Sequence, residues 1–388
     1  MAGARPGRTT LTVGVNGAGA TGSPSPSPSP SPSPARAGFD AFCSAAAAAL
    51  EATVAVERRL VLGGTSLRIR GAGTALLELL LPALEHARDP DPAGEAEVTI
   101  DLFDTATSGV HPPRFPWAPG DVRARGEIAG GSDDARALFH GDLLAPEDDF
   151  RAVSVYSRRR SHGVLWVLSP DRVPWWERAA PLRTLLHWSL AAPPRRVLVH
   201  GAAVAGAHRG ALLIGAGGSG KSTTAVACVE AGMTAAGDDY VLLDIPTGVA
   251  HPLYGTAKLA PRSLELLPGL AAAAAAVPSG GSRQPRKRVV ELTGRWPERM
   301  ARAIGVDMLV VPRIVATGVT RLHPCSGGEA LRALAPTTIL QLAGDNGAVL
   351  APLADLARRL PAYVLELGGA PREAAVELDR LLGSPAAA

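Results

Sequence analysis

Residues 215–223 read Gly-Ala-Gly-Gly-Ser-Gly-Lys-Ser-Thr, and this stretch decides the fold class. It matches the phosphate-binding-loop pattern G-x-x-x-x-G-K-[S/T] in full. The apolar run Gly210–Ile214 before it is typical of a buried strand, and the Ala-rich run Thr223–Ala231 after it favours a helix. Strand, glycine loop and helix in this order predict an α/β domain that binds a nucleoside triphosphate.

Glycine in such a loop lets successive backbone N–H groups curl around a polyphosphate, and the helix N-terminus adds partial positive charge. We expect the Lys221 ammonium to contact the outer phosphates and the Ser222 hydroxyl to occupy one Mg²⁺ position. The predicted nucleotide-binding residues are Gly215, Ala216, Gly217, Gly218, Ser219, Gly220, Lys221, Ser222 and Thr223.

Two adjacent carboxylates, Asp238 and Asp239, lie between two apolar stretches downstream of the loop. Magnesium prefers one or two carboxylates beside phosphate oxygens, and a second carboxylate in such a place can accept a hydroxyl proton. An Asx-type turn is the structural alternative. Following a phosphate loop, the pair favours the metal and proton-acceptor interpretation.

Composition limits the classes of partner. The chain has 388 residues, with 39 basic and 36 acidic side chains, so its formal net charge of +3 does not predict nucleic-acid binding. The local runs Arg158–Arg160 and Arg286–Arg288 are interpreted as solvated loops. Three widely spaced cysteines form no disulfide or metal pattern and fit a reducing compartment. No stretch reaches the roughly 18–20 apolar residues of a membrane span, and no signal-peptide layout is present, so we expect a cytoplasmic protein without membrane partners.

Three regions are predicted along the chain. Residues 1–37, which include a Ser-Pro repeat, form an extended, disordered tail, because alternating proline forbids helix and removes backbone donors. Residues 38–192 form an α+β domain rich in antiparallel strands, with a hairpin around Gly63-Gly64. Residues 193–388 form the α/β domain with the glycine loop. The insert Ala271–Gln284 is either a substrate lid or a disordered insertion.

Histidines are read mostly as structural. His111, His140 and His162 lack ligand spacing. His200 lies on the predicted strand Arg196–Val204, which neighbours the strand that feeds the loop, and by itself it is most simply a core residue.

Residues 197–244 together resemble the catalytic domain of the HPr serine kinase/phosphorylase family, and most of all its divergent members found with peptide-modification gene clusters. The resemblance is carried by Val-His-Gly-Ala-Ala-Val at 199–204, the glycine loop, and Ala-Gly-Met followed by Gly-Asp-Asp-Tyr up to Tyr240. It implies a P-loop, HPr-kinase-like C-terminal domain that uses ATP and Mg²⁺ to phosphorylate a serine hydroxyl of a peptide or protein.

The resemblance also implies roles for individual residues. Lys221 would hold the transferred phosphate, and Ser222 and Asp239 would bind the metal. Asp238 would accept the hydroxyl proton, with His200 bonding phosphate or orienting that aspartate. Arg313, on the predicted strand Met308–Ile314, would stabilise transferred charge.

The chain departs from the family in two respects. The Glu-x-Arg-Gly-x-Gly signature of bifunctional members is absent, so a phosphorylase reaction is not predicted. The first half shows no match, so HPr itself is not predicted as substrate, and both monomer and homo-oligomer stay open. Two alternatives to a protein kinase are a non-catalytic regulatory ATP-binding module and a kinase of small hydroxylated molecules.

Overall fold

The computed structural model describes residues 33–114, 117, 119–123, 126–128, 134–140, 151–270, 287–316, 318–344 and 347–384. Ser33–Ala388 forms one compact unit. The Ser-Pro tail up to residue 32 and the predicted lid at 271–284 lie outside the described residues.

A six-stranded mixed sheet organises the first half of the chain. Its strands are β1 Ala55–Leu62, β2 Thr65–Ala72, β3 Val98–Asp104, β4 Ala135–His140, β5 Ala152–Ser157 and β6 His162–Val167. Their order is β1-β2-β3-β6-β5-β4. The predicted hairpin is confirmed: β1 and β2 pair antiparallel, and the turn glycines Gly63 and Gly64 have φ of 56° and 80°. The predicted antiparallel character holds only in part, because β2–β3 and β3–β6 are parallel.

Among the described residues, five α-helices accompany this sheet. They are α1 Pro34–Ala52, α2 Ala75–Leu80, α3 Thr105–Ser108, α4 Trp175–Ala179 and α5 Arg183–Leu190. Helix α1 begins within the expected tail, because the Ser33 hydroxyl accepts from the Arg36 N–H at 3.4 Å and proline suits the first helical turn. Leu182, Leu185, Leu186 and Leu190 recur at helical spacing and predict a single helix from Trp175 to about Leu190. The segment instead forms two helices, with Leu182 at φ of 56° just before the second.

Three further sheets form the second half. Their strands are β7 Arg196–Val199, β8 Gly201–Ala205, β9 Gly210–Ile214, β10 Thr234–Ala236, β11 Val241–Asp244, β12 Val249–Pro252, β13 Thr256–Leu259, β14 Arg288–Glu291, β15 Ile304–Gly305, β16 Met308–Ile314, β17 Arg321–Cys325 and β18 Ala362–Leu367. The main sheet has the order β10-β8-β9-β16-β18-β17, with β9, β16 and β18 parallel. A second sheet has the order β15-β12-β11-β7, and β13 pairs with β14.

The α-helices in the described part of this half are α6 Lys221–Glu230, α7 Pro261–Leu266, α8 Leu292–Arg295, α9 Gly327–Gln341, α10 Gly347–Arg359 and α11 Pro371–Gly383. The chain is therefore a mixed α/β protein with several sheets. None of the described helices combines the length and apolar character that a membrane crossing requires.

The strand predicted over 196–204 is interrupted at His200. Strand β7 pairs with β11 in one sheet, whereas β8 pairs with β9 in another. His200 is thus the residue at which the chain changes sheets. This break, which the continuous apolar pattern does not reveal, places the imidazole between the two sheets.

The largest apolar cluster joins the two halves of the chain. Leu67, Leu84 and Leu185 from the first half pack in one cluster with Leu198 and Tyr254 from the second. Each of these side chains is fully buried, so the two halves share one hydrophobic core. Burial on this scale stabilises by about 25 cal/mol per Å² of apolar area.

Candidate functional site

The glycine loop lies between the end of β9 and the start of α6, as its sequence predicts. Gly215, Gly218 and Gly220 have φ of 145°, 82° and 104°, in the region that favours glycine. A Cβ on Gly220 would also lie 2.3 Å from Leu367 Cδ1. The backbone path of the loop therefore favours glycine at these three positions.

Lys221, the first residue of α6, folds back over the loop. Its Nζ donates to the carbonyl oxygens of Gly215 and Ala216 at 2.7 and 3.1 Å, and the residue is 6% exposed. Burial lowers the pKa of Lys221, while the nearby Asp238 and Asp239 act in the opposite direction. The ammonium is thus held at the mouth of the loop, beside the N-terminus of a ten-residue helix whose dipole favours anions.

The hydroxyls of the loop have different environments. Ser219 Oγ is buried and has no hydrogen-bond partner among the described residues. Thr223 Oγ1 bonds to Ser263 Oγ at 2.7 Å and so ties α6 to α7. Ser222 follows Lys221 and approaches Asp238, whose pKa its hydroxyl acts to lower.

Asp238 is the least solvated carboxylate of the site. It is 1% exposed, and neither carboxylate oxygen makes a hydrogen bond of good geometry with a described residue. Burial raises its pKa, and the charge of Asp239 raises it further. A buried carboxylate without partners is costly.

Asp239 has the opposite environment. It forms an ion pair with Lys258 Nζ, and its Oδ1 lies 3.4 Å from His200 Nε2. Burial alone would raise its pKa, but Lys258 and then His200 lower the pKa well below its usual range. The residue has φ of 70°, and its carbonyl oxygen accepts from the Gly201 N–H at 3.1 Å. The surroundings therefore raise the pKa of Asp238 and lower the pKa of its neighbour Asp239.

Three contacts hold His200: a backbone hydrogen bond, a ring contact and an interaction of one ring nitrogen. Its backbone N–H donates to Thr338 Oγ1 at 3.3 Å, and its ring centre lies 5.2 Å from that of Tyr240. Nε2 faces Asp239, and Nδ1 is buried with no hydrogen-bond partner among the described residues.

The structure brings four of the predicted residues together, namely His200, Lys221, Asp238 and Asp239. Arg313 is placed differently, at the end of β16, where its Nη2 donates to Glu329 Oε1 at 2.7 Å. It lines an open cleft of about 620 Å³ whose wall includes Gly215–Ser219. No hydrogen bond or ion pair links Arg313 to the acidic pair within the described part of the chain.

Two residues of this cluster carry no prediction from the sequence. Lys258 occurs in the short strand Thr256–Leu259. A single lysine within an otherwise uncharged strand is the sequence feature that could have indicated a buried ion pair. Tyr240 was quoted only as part of a motif, yet its ring backs His200 and its hydroxyl donates to Gln341 Oε1 at 2.8 Å.

A magnesium ion can be tested against these donors. Among the described residues, no three His, Cys, Asp or Glu side chains gather as a metal site. Magnesium on a nucleotide needs fewer protein ligands, because phosphates and water supply the rest. Asp239, the predicted ligand, is already engaged by Lys258 and His200, whereas Asp238 lies beside Ser222 and makes no hydrogen bond of good geometry with the described residues. The donor set fits Ser222 with Asp238 better than Ser222 with Asp239.

Comparison with known proteins adds little. No protein-family model matches the chain, and no curated protein matches it in sequence. Among solved structures, it is similar to the Hpr(Ser) kinase/phosphatase from Coxiella burnetii, at 10% sequence identity over 47% of this chain and 95% of that one, with a TM-score of 0.26. A TM-score this low supports no conclusion about the present chain.

Proposed function

We propose that this chain is an ATP-dependent kinase that transfers the γ-phosphoryl group to a hydroxyl, with serine of a peptide or protein as the acceptor. The acceptor class comes from the resemblance of residues 197–244 to HPr-type kinases. The observation that carries the chemistry is the buried Asp238, which lies beside the loop lysine and Ser222 and whose carboxylate makes no hydrogen bond of good geometry with the described residues. A buried carboxylate in such a place is suited to interact with an incoming hydroxyl or metal-bound nucleotide.

Each residue then has a distinct role. The loop amides and Lys221 bind the phosphate chain, and the α6 N-terminus adds to the attraction. Asp238 accepts the proton of the attacking hydroxyl, for which a raised pKa is suited, because a base works best with a pKa near the operating pH. His200 orients Asp239 and points one ring nitrogen toward the buried site. Catalysis of this kind comes from positioning and charge stabilisation.

Magnesium, when bound with ATP, would neutralise phosphate charge at this site. The Ser222 hydroxyl and one oxygen of Asp238 would hold it. The remaining oxygen of Asp238 is then available to the acceptor hydroxyl, and the charge of Asp239 is balanced by Lys258.

The test is transfer of labelled γ-phosphate from ATP, measured in a single turnover against a library of serine-containing peptides, with hydroxylated metabolites in a parallel arm. Asp238→Asn should lower the transfer rate by about 100-fold or more, since a general base contributes roughly 10²–10⁴-fold. Its affinity for ATP without magnesium should change little, because the loop and Lys221 are intact.

Asp355→Asn, on the exposed side of α10, is the matched control and should transfer at the wild-type rate. Equal rates for wild type and Asp238→Asn would remove the proposed mechanism. ATP binding with no transfer to either class of acceptor would favour a regulatory nucleotide-binding module instead.

A further inference from the structure

The turn between α4 and α5, in the first half of the chain, places the guanidinium of Arg183 beside the candidate site. Arg183 is the first residue of α5, and its Cζ lies 5.6 Å from the centre of the Tyr240 ring. This is the distance of a cation–π contact. Tyr240 directly follows the acidic pair, so Arg183 reaches the site through an aromatic ring.

The turn that carries Arg183 is held by hydrogen bonds. Leu182 adopts φ of 56°, which an L-residue with a bulky side chain rarely does. Its N–H donates to Glu177 Oε1 at 3.0 Å. Such a conformation persists only where its surroundings impose it, and it is concentrated at functional positions.

Two further bonds come from the second half of the chain. The Tyr254 hydroxyl donates to the Pro181 carbonyl at 3.0 Å, and the Thr256 hydroxyl donates to the Ala179 carbonyl at 2.9 Å. Both are buried. Thr256 begins the strand that carries Lys258, the ion-pair partner of Asp239. The same short strand therefore positions Lys258 and holds the turn before Arg183.

The contacts continue from Arg183 to the imidazole. The Tyr240 ring contacts both Arg183 and His200, and the rings of Tyr240 and His200 are inclined by 35° with their centres 5.2 Å apart. The Tyr240 hydroxyl is fixed by Gln341, so the ring has little freedom to turn. His200 Nε2 then faces Asp239.

The groups around Arg183 keep its side chain charged although it is buried. Tyr240, Tyr254, Glu177 and Asp239 all favour its charged form, which burial opposes. No carboxylate lies within ion-pair distance of its guanidinium among the described residues, and its defined contact is with Tyr240, through the ring and through a hydrogen-bonding approach to the hydroxyl that acts to lower the pKa of that phenol.

We propose that Arg183 is a positioning residue: it clamps the Tyr240 ring and thereby fixes the orientation of His200 toward Asp239. The assignment rests on the proposed function only for its effect on phosphoryl transfer. Its effect on His200 itself is independent of activity.

The experiment compares Arg183→Met with Arg88→Met, a matched change at an arginine whose side chain is 61% exposed. The imidazole resonances of His200 are recorded by NMR in the absence of nucleotide. Single-turnover transfer and ATP affinity are measured on the same proteins, and thermal unfolding checks that they are folded. Where Arg183→Met loses the fold, Arg183→Gln takes its place.

Arg183→Met should shift the His200 resonances and lower the transfer rate by about 10- to 100-fold, because small displacements of catalytic groups have effects of this size. ATP affinity should change by less than about twofold, since the phosphate loop is not touched. In a His200→Ala background, Arg183→Met should change the rate by less than about twofold, because a residue that acts through another gives non-additive effects.

Unchanged His200 resonances in Arg183→Met would overturn the proposal. So would rate effects that multiply in the double variant, since these would show that Arg183 acts independently of His200. If the wild type transfers no phosphate at all, the proposed function fails, while the NMR comparison still decides the role of Arg183.

Discussion

At the scale of single residues, the most informative contrast is between two adjacent carboxylates. Asp238 is buried beside Ser222 without a hydrogen bond of good geometry to the described residues and its pKa is raised, whereas Asp239 is held by Lys258 and His200 and its pKa is lowered. Environments that separate the pKa values of neighbouring acids are typical of sites where one of them moves a proton. The Asp-Asp motif is visible in the sequence. The difference in pKa between its two carboxylates depends on Lys258, which lies 19 positions downstream of Asp239.

Removing Lys258 should therefore destabilise the fold. In Lys258→Met the buried charge of Asp239 loses its main counterion, and we expect the free energy of unfolding to fall by about 3 kcal/mol or more. Urea denaturation at neutral pH measures the change. The double variant Asp239→Asn/Lys258→Met should recover most of the loss.

The exposed pair Arg262–Glu265 provides the control, and Arg262→Met should cost less than about 0.5 kcal/mol. If Lys258→Met is as mild as Arg262→Met, then Lys258 does not compensate the charge of Asp239.

At the scale of elements, the glycine loop shows why a short motif predicts local structure well. Strand β9, the loop and helix α6 are contiguous. The residues that determine their backbone conformation are therefore consecutive in the sequence. Elements whose ends depend on distant contacts were predicted less well. The helix expected after Trp175 breaks at Leu182 because Glu177 and Tyr254 hold a turn there.

Two alanine substitutions in the loop separate backbone strain from steric fit. A Cβ at Gly217 or Gly218 would meet no atom within 4 Å, but only Gly218 has positive φ, at 82°. Gly218→Ala should therefore cost roughly 1–2 kcal/mol through backbone strain, seen as a loss of stability or as weaker ATP binding. Gly217→Ala should stay close to wild type in both measurements. Equal effects of the two substitutions would contradict the observed loop conformation.

At the scale of the whole molecule, the two halves share an apolar core that contains a titratable residue. His187 on α5 is 8% exposed, and burial lowers its pKa to about 4, with the charges of Arg136, Arg158 and Arg183 acting in the same direction. In the unfolded chain its pKa is near 6.5. Between about pH 4 and 6.5 the unfolded state therefore binds the proton that the folded state excludes.

Stability should consequently fall as the pH is lowered from 6.5 toward 4, by up to about 1.4 kcal/mol per pH unit from this residue. His187→Leu should make that part of the profile less steep, while His140 and His86, whose pKa values burial also lowers, keep their share of the slope. His208→Leu, at an exposed position, should leave the profile unchanged. Urea midpoints measured across this pH range test the prediction. A profile as steep in His187→Leu as in the wild type would contradict the contribution of His187.

Local information was sufficient for the hairpin at Gly63-Gly64, for the strand and helix around the glycine loop, and for the choice of Lys221, Asp238 and Asp239 as candidates, whereas His200 became a candidate only through the family resemblance of residues 197–244. These features follow from backbone geometry and side-chain chemistry within a few consecutive residues. Tertiary structure alone decided that the chain changes sheets at His200, that Lys258 pairs with Asp239, and that Arg183 reaches Tyr240. Each of these depends on residues far apart in sequence that meet only when both halves bury their apolar faces against each other, and no periodicity along the chain records such a meeting.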